Sequence, residues 1–366
     1  MHRSPALLVL ALAPCTLSAA DPSEREAWLW PFASTSIFNM PIGSNASYVS
    51  ANLTSSNSTH HGIDHEGHYR LSSSDPVRQV YPPLSWITRW PGDATWPYRF
   101  GPHWSMPVPD SLIIADVVGG YTPNEACSFL MPDGRELRQL EPACRVVAAA
   151  DIVGWPIEPI DIYGNDNRGT HWGSALSALG GSIRLGELTG TAPLRHAIKW
   201  NLWGRHLFYN PSTNSGFRWP ATTQDSYAAG GGYQGTLPAL TMGSLLALRP
   251  DVTAASLGVT TSVGAKLVDA VRDYGAYIVD DSGWDAYDLC CEKGVEAEVQ
   301  AIGLQLGGSS GALVADLRRI VAALAVVDNN TESNVGGGGT RRRPLAPPLA
   351  DPLNPVPTGL NAAGPA

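Results

Sequence analysis

The chain has 366 residues, a formal net charge of −9 and 43% hydrophobic residues, enough for a sizeable core in one large or two ordinary domains. Only 16% of residues are charged, and the absence of a long basic run before residues 341–343 argues against nucleic acid as a partner. With 38 Gly, 30 Pro and 12 Trp the composition points to a turn-rich, mainly β protein, and no apolar stretch approaches the roughly 18 residues that cross a bilayer.

Taken in order, His2 and Arg3 precede an apolar run at 6–13, with small residues at Ser18 and Ala20. This reads as a signal peptide over 1–20, so the mature chain is expected to be exported. Beyond it stand Cys127, Cys144, Cys290 and Cys291. An oxidising compartment leads us to expect disulfides, with Cys127–Cys144 favoured as a local bridge. Cys290 and Cys291 are open between a vicinal bond and separate partners. No Cys-x-x-Cys pair supports zinc. Sequons at Asn45, Asn52, Asn57 and Asn329 mark expected exposed, glycosylated loops.

Residues 28–48 mix aromatics with Pro and small polar residues, as in an irregular opening strand lying across a sheet. His60, His61, Asp64, His65, Glu66 and His68 crowd into HHGIDHEGH. A metal is one reading and a polar loop the preferred one, since Gly62 and Gly67 break any helical His61/His65 pair. Prolines exclude a long helix over 80–108, where Trp86, Trp90, Trp96 and Trp104 divide between core and a sugar-stacking platform. Strands are predicted at 111–118, 145–155, 181–188, 194–204, 216–221, 242–251 and 274–279, the last leading into Asp280 and Asp281. Helices are predicted at 262–273, with Val263, Leu267, Ala270 and Val271 on one side, and at 311–326. The expected fold is a mainly β, jelly-roll-type β-sandwich with two accessory helices, spanning 21–332. Residues 333–366 read as a Gly/Pro-rich extended tail with few anchors, its three arginines solvated.

The chemistry-bearing residues concentrate between Gly169 and Gly235. In the predicted strand at 194–204, His196, Ile198 and Trp200 share one face opposite Ala197, Lys199 and Asn201, without a clean polar–apolar alternation, so both faces are expected to be covered. In GSIRLGEL a bulge at Gly186 is needed to bring Arg184 to Glu187. Arg184, Glu187, His196 and Asp225 are expected to form one buried polar cluster. Trp172, Lys199, Trp200, Trp219, Tyr227 and Tyr233 are the expected substrate-binding residues around it. Glu187 and Asp225 are the pair chosen to cleave a glycosidic bond, with Asp280 and Asp281 in reserve. Elimination from a uronate glycan is the alternative, with His196 as base, Arg184 as neutraliser and Tyr227 or Tyr233 as acid. A third variant has Glu187, His196 and Asp225 around a metal, although nothing in their spacing requires one, and no cofactor or metal is expected. The cluster also reads as a purely structural network, which pairs with a non-catalytic glycan-binding protein. No P-loop is present, and GGG at 230–232 lacks a strand before and a helix after it.

The order of an Arg-x-x-Glu segment, a His segment and an aromatic segment resembles jelly-roll alginate lyases. Arg195-His196-Ala197 stands where that family has Gln-x-His, and Gly216-Phe217-Arg218-Trp219 where it has Tyr-Phe-Lys. More broadly, WPFASTSIFNMPIG, RWPATTQD, RDYGAYIVDD and VGGGG resemble segments of exported β-sandwich proteins of carbohydrate-active type, over about 300 residues. That resemblance implies a β-sandwich fold and export more than a chemistry; cleavage of an extracellular polysaccharide, the expected partner, rests on the carboxylate pair.

Overall fold

The computed structural model describes residues 24–53, 60–83, 101–114, 125–210 and 216–350. The expected signal peptide, Asn57, Trp86, Trp90, Trp96 and the end of the tail lie outside these residues. The strands are β1 (Tyr48–Ser50), β2 (His60–Arg70), β3 (Val77–Tyr81), β4 (Trp104–Pro107), β5 (Cys127–Leu130), β6 (Glu136–Cys144), β7 (Ile152–Pro156), β8 (Ile160–Asp161), β9 (Arg168–His171), β10 (Ile198–Leu202), β11 (Leu245–Ala247), β12 (Ala276–Asp281), β13 (Ala286–Glu292) and β14 (Ala325–Val327). The helices are α1 (Gly204–Leu207), α2 (Ala254–Leu257), α3 (Ser262–Asp273), α4 (Val295–Ala301) and α5 (Ala312–Ala323).

The described residues are mainly β, with 30% strand and 16% helix. One continuous mixed sheet runs β1-β14-β11-β12-β10-β13-β2-β5-β6-β7-β3-β4, with β8 paired to β6. The pairs β10/β12, β13/β2, β2/β5 and β3/β7 are parallel. A jelly roll is built from antiparallel pairs, so these four pairings do not fit the expected sandwich.

Both faces of the central strands are covered. Ile198, Trp200 and Leu202 of β10 join Ile278 of β12 in a core against α3 and α5, through Val263, Leu267, Leu317 and Ile320. Thr261 caps α3 by accepting from the Gly264 N–H at 2.9 Å, and the 3–4 spacing of its apolar residues turns one side to the sheet. On the opposite face Ala197, Tyr277 and Val279 pack under Phe32, Ile37, Phe38 and Ile42. Those four belong to the opening segment, which is a series of turns laid across the sheet and not a strand. A third core under β3 to β7 centres on Val80, Phe129, Leu140 and Ile152.

Several expectations change here. HHGIDHEGH is not a polar loop but the central strand β2, which binds two different neighbours along its length. Residues 181–190 form turns in place of a strand, with Gly186 at φ 79°. Of the predicted segment at 216–221, only Phe217 forms an isolated bridge, to Met242. Cys127, Cys144, Cys290 and Cys291 are all buried thiols. Cys127 lies opposite Leu140, four residues along β6 from Cys144, roughly 13 Å at strand rise. That separation is too great for a bridge. Cys290 and Cys291 alternate across β13, one in each of the two central cores. Residues 333–350 are anchored: Arg341 donates to Pro41 O at 2.9 Å, Arg342 to Leu248 O at 3.3 Å, and Arg343 to Asp273 at 2.6 Å. Asn45 and Asn52 are exposed, whereas the Asn329 amide is held by Asn45 O at 2.9 Å and the Ser47 N–H.

Candidate functional site

Four adjacent strands, β12, β10, β13 and β2, build the site floor. Register sets Asp280 beside Asn201, Asn201 beside Asp288, and Asp64 beside Cys290. The β10/β12 pairing shifts between Trp200 and Asn201. In a regular strand Asp280 would follow Ile278 towards the helix-side core; the bulge turns it instead onto the face of Lys199 and Asn201. On β2 the alternation Asp64-x-Glu66-x-His68 delivers three more polar groups to that face. Gly62 has no Cβ there, and one would meet the Asp288 carboxylate at 1.8 Å.

The segment from β9 to Ser182 lies over this floor. Lys199, 0% exposed, donates to Glu66, to Ser177 O at 3.0 Å and to Ala178 O at 2.6 Å. His171 Nε2 lies 2.7 Å from Glu66 Oε1 and 3.2 Å from Lys199 Nζ, while His68 Nε2 reaches Ser182 Oγ at 3.0 Å. The far side of the His171 ring points at two more carboxylates. Its Nδ1 is 3.7 Å from Glu141 Oε2 and 3.7 Å from Asp280 Oδ2. Burial opposes the Glu66 charge, but Lys199 and His171 hold the carboxyl down at about 2. Asp64 is pushed up to about 6 by burial, and Glu141 well above its ordinary range by burial and by its acidic neighbours. Burial and Lys199 depress His171, yet Asp280 and Glu66 lift it above its ordinary value.

Above Asp280 opens a cavity of about 850 Å³. Trp155, Pro156, Trp172 and Tyr227 supply its apolar and aromatic walls; Asp225, Asp280 and Asp281 supply its carboxylates. Trp172 is pinned by its indole N–H to Glu141 O at 2.5 Å. Gly173 must be glycine for the floor to keep its shape, because a Cβ there would meet Asp280 Oδ1 at 2.4 Å. Asp281 accepts from the Gly204 N–H at 2.5 Å and from Tyr227 Oη at 2.9 Å. Asp225 accepts from Tyr233 Oη at 2.5 Å. Burial pushes Asp225 up to about 7, with Asp280 and Asp281 adding to it; burial likewise pushes Asp281 to about 6, against its two donors. A smaller recess of about 220 Å³ at Trp30 and Arg195 also has an acidic wall, but its Asp273 is tied to Arg272 and Arg343.

The chain matches no protein-family model, no curated protein and no solved structure.

The expected cluster of four splits in two. Arg184 and Glu187 meet through a turn, the Arg184 N–H donating to Glu187 Oε2 at 2.7 Å, and His196 Nε2 lies 3.1 Å from Glu187 Oε1. The Arg184 guanidinium donates to Glu292 at 2.8 Å and to Trp28 O at 2.6 Å. The recess beside Arg184 and His196 holds only about 10 Å³. Asp225 is elsewhere, on the large cavity with Trp172 and Tyr227. Tyr233 is buried behind Asp225 and supports it, Lys199 is sealed under Ser177 and Ala178, and Trp200 belongs to the helix-side core. Trp219 packs against the core on the other face. Sequence reasoning missed Glu141 and Trp155 as site residues, and it weighed Glu66 only within a metal-binding cluster that it set below a polar loop. For Glu66 the signal was the period-2 spacing of Asp64, Glu66 and His68.

Proposed function

We propose that this chain is an exported, carbohydrate-active enzyme that hydrolyses a polysaccharide in the Trp155–Trp172 cavity. One observation carries the reading: two separately supported carboxylates, Asp225 and Asp281, share one cavity with two indoles and a tyrosine. Sugar rings present apolar faces that indoles cover, while paired carboxylates supply the acid and the base or nucleophile of glycoside cleavage. Their supports divide the roles. Asp281 accepts from two donors, which favour its anion, and acts as base or nucleophile. Asp225 has Tyr233 and faces the negative charge of its acidic neighbours, which favours its protonated form, and acts as the acid. The pair Glu187 and Asp225 is set aside, because Glu187 is engaged with His196 and Arg184 away from the cavity. Elimination ranks below hydrolysis: neither Arg nor Lys is among the described lining residues to neutralise a uronate carboxylate.

The test is incubation of the purified protein with a panel of neutral and uronate polysaccharides. Hydrolysis gives new reducing ends without the unsaturated-uronate absorbance near 235 nm (an approximate chemical expectation for elimination), and Asp225→Asn abolishes them. Appearance of that absorbance overturns hydrolysis in favour of elimination. Glycan binding without either product leaves a binding protein and removes both enzyme readings.

A further inference from the structure

We propose that Glu141, His171 and Asp280 form a divalent-cation site in the floor of the cavity. This goes beyond the glycan reading and does not depend on it. The three donor atoms, Glu141 Oε2, His171 Nδ1 and Asp280 Oδ2, all lie within 4.8 Å of one another. Nδ1 stands 3.7 Å from each of the two oxygens. That is too long for a hydrogen bond, which needs about 2.7–3.2 Å. It is close to the roughly 3.4 Å between ligands that each sit about 2.1 Å from a shared tetrahedral ion.

The hydrogen-bond pattern points the same way. His171 and Glu141 are 0% and 1% exposed in their side chains, yet Nδ1 and Oε2 have no hydrogen-bond partner among the described residues. Buried polar atoms are seldom left so. At the other edge of the ring, Nε2 meets the Glu66 carboxylate at 2.7 Å. A carboxylate behind a ligating histidine fixes the tautomer with its proton on the far nitrogen and leaves the near one with a bare lone pair. Lys199 donates to Glu66, so its charge is matched there and not at Glu141 or Asp280. Two buried carboxylates facing one imidazole call for positive charge between them. Asp280 also lines the cavity, so the remaining coordination positions open towards it, as in sites that hold three protein ligands and an exchangeable one.

One imidazole with two carboxylates suits a first-row dication such as Zn²⁺ or Mn²⁺ better than Ca²⁺ or Mg²⁺, which take oxygen ligands. The neighbouring group of Asp64, His171 and Cys290 is the weaker candidate, because Asp64 Oδ2 already accepts from the Asn201 amide at 2.9 Å.

The experiment uses the full chain, stripped with a chelator and then titrated with Zn²⁺ or Mn²⁺ alone. Bound metal is counted by elemental analysis, affinity is read by calorimetry, and Mn²⁺ is followed by its paramagnetic resonance. The expected result is about one ion per chain, with a melting temperature that rises as metal is added. Glu141→Gln and Asp280→Asn each weaken binding at least tenfold while circular dichroism stays unchanged, and Glu187→Gln, outside the cavity, binds as the parent does. Substoichiometric metal in the parent chain overturns the site, as does unaltered affinity in both ligand variants. If either variant fails to fold, the parent stoichiometry and the other variant decide. Failure of the two readings is separable: a metal-loaded chain inert towards glycans sinks the hydrolase, and an active hydrolase that binds no metal sinks this site.

Discussion

Lys199→Met tests the foundation on which the site rests. The ammonium is fully buried and donates to Glu66 and to the carbonyls of Ser177 and Ala178, so one methyl-ended chain of similar length removes all three bonds at once. Breaking one side of a buried ion pair costs about 3–5 kcal/mol, because the charge left behind has lost its partner. With an unfolding entropy of about 2.1 cal/mol/K per residue over about 290 folded residues, near 0.6 kcal/mol/K, the melting temperature should fall by about 5–8 °C. Scanning fluorimetry measures the shift and urea titration checks it at constant slope. Adding Glu66→Gln should restore more than half of the loss, since neutralising both members of a buried pair is far less costly than neutralising one. A single variant that melts within about 1 °C of the parent, or a double variant no better than the single, would refute the buried pair as the element that clamps the 177–182 segment to the sheet.

Three further outcomes follow from the same structure. Burial depresses His196, but the Glu187 charge and bond, with the Ala197 carbonyl at 2.9 Å, raise it above its ordinary 6.5. The pair's stabilisation is therefore complete below pH 6.5 and fades as pH climbs through the higher folded value. Glu187→Gln should cost about 1.5 kcal/mol near pH 6, the low end for a bond to a charged group because Glu187 is a quarter exposed, and much less near pH 9. Equal losses at both pH values in thermal melts would remove the charged pair; loss of glycan cleavage in this variant would return Glu187 to the chemistry. Gly173→Ala places a methyl group 2.4 Å from Asp280 Oδ1 and 2.9 Å from Met242, so about 1–3 kcal/mol of stability should go, together with most glycan affinity. Parent-like affinity in calorimetry would show that the floor tolerates displacement. Finally, a chain beginning at residue 21, denatured without reductant, should give four titratable thiols with a chromogenic disulfide reagent; two or none would restore the disulfides.

Much of the fold could be read where a period was strong. Residues 262–273 have helical spacing and form α3, and YGAYIVDD yields β12 because its apolar residues serve both covered faces. Ile198 and Trp200 do lie opposite Ala197, Lys199 and Asn201 as the alternation predicts, but His196, read onto the Ile198 face, precedes β10 and turns to Glu187. β2 was opaque for a physical reason. His, Asp and Glu are strand-compatible here only because their partners arrive from far along the chain: His171 is 105 residues from Glu66, Ser182 is 114 from His68, and Lys199 is 133 from Glu66. Local composition holds none of that information. Trp172, Asp225 and Tyr227 were read as site residues and do share a cavity, while Glu187 and His196 were read into the same cluster and are not there. The difference arises at Gly186, whose positive φ makes the turn that carries Glu187 away from the sheet.

The anchored residues 341–350 have a consequence for how this protein comes into being. Arg25 N–H donates to Pro348 O at 3.0 Å, Ala350 N–H returns to Arg25 O at 2.9 Å, and β1 pairs with β14, so the first and last described segments are stitched together. Such contacts close loops of about 300 residues, and loop closure must be met before they stabilise anything. On a ribosome the sheet therefore stays open along the β1 edge until residues 325–350 have been made, and the clamp forms only after them. The same closure makes the backbone effectively circular. A permuted chain, joined across 25 and 350 and opened at an exposed turn such as Pro132-Asp133, should rebuild the described fold, whereas a chain ending at residue 332 should not.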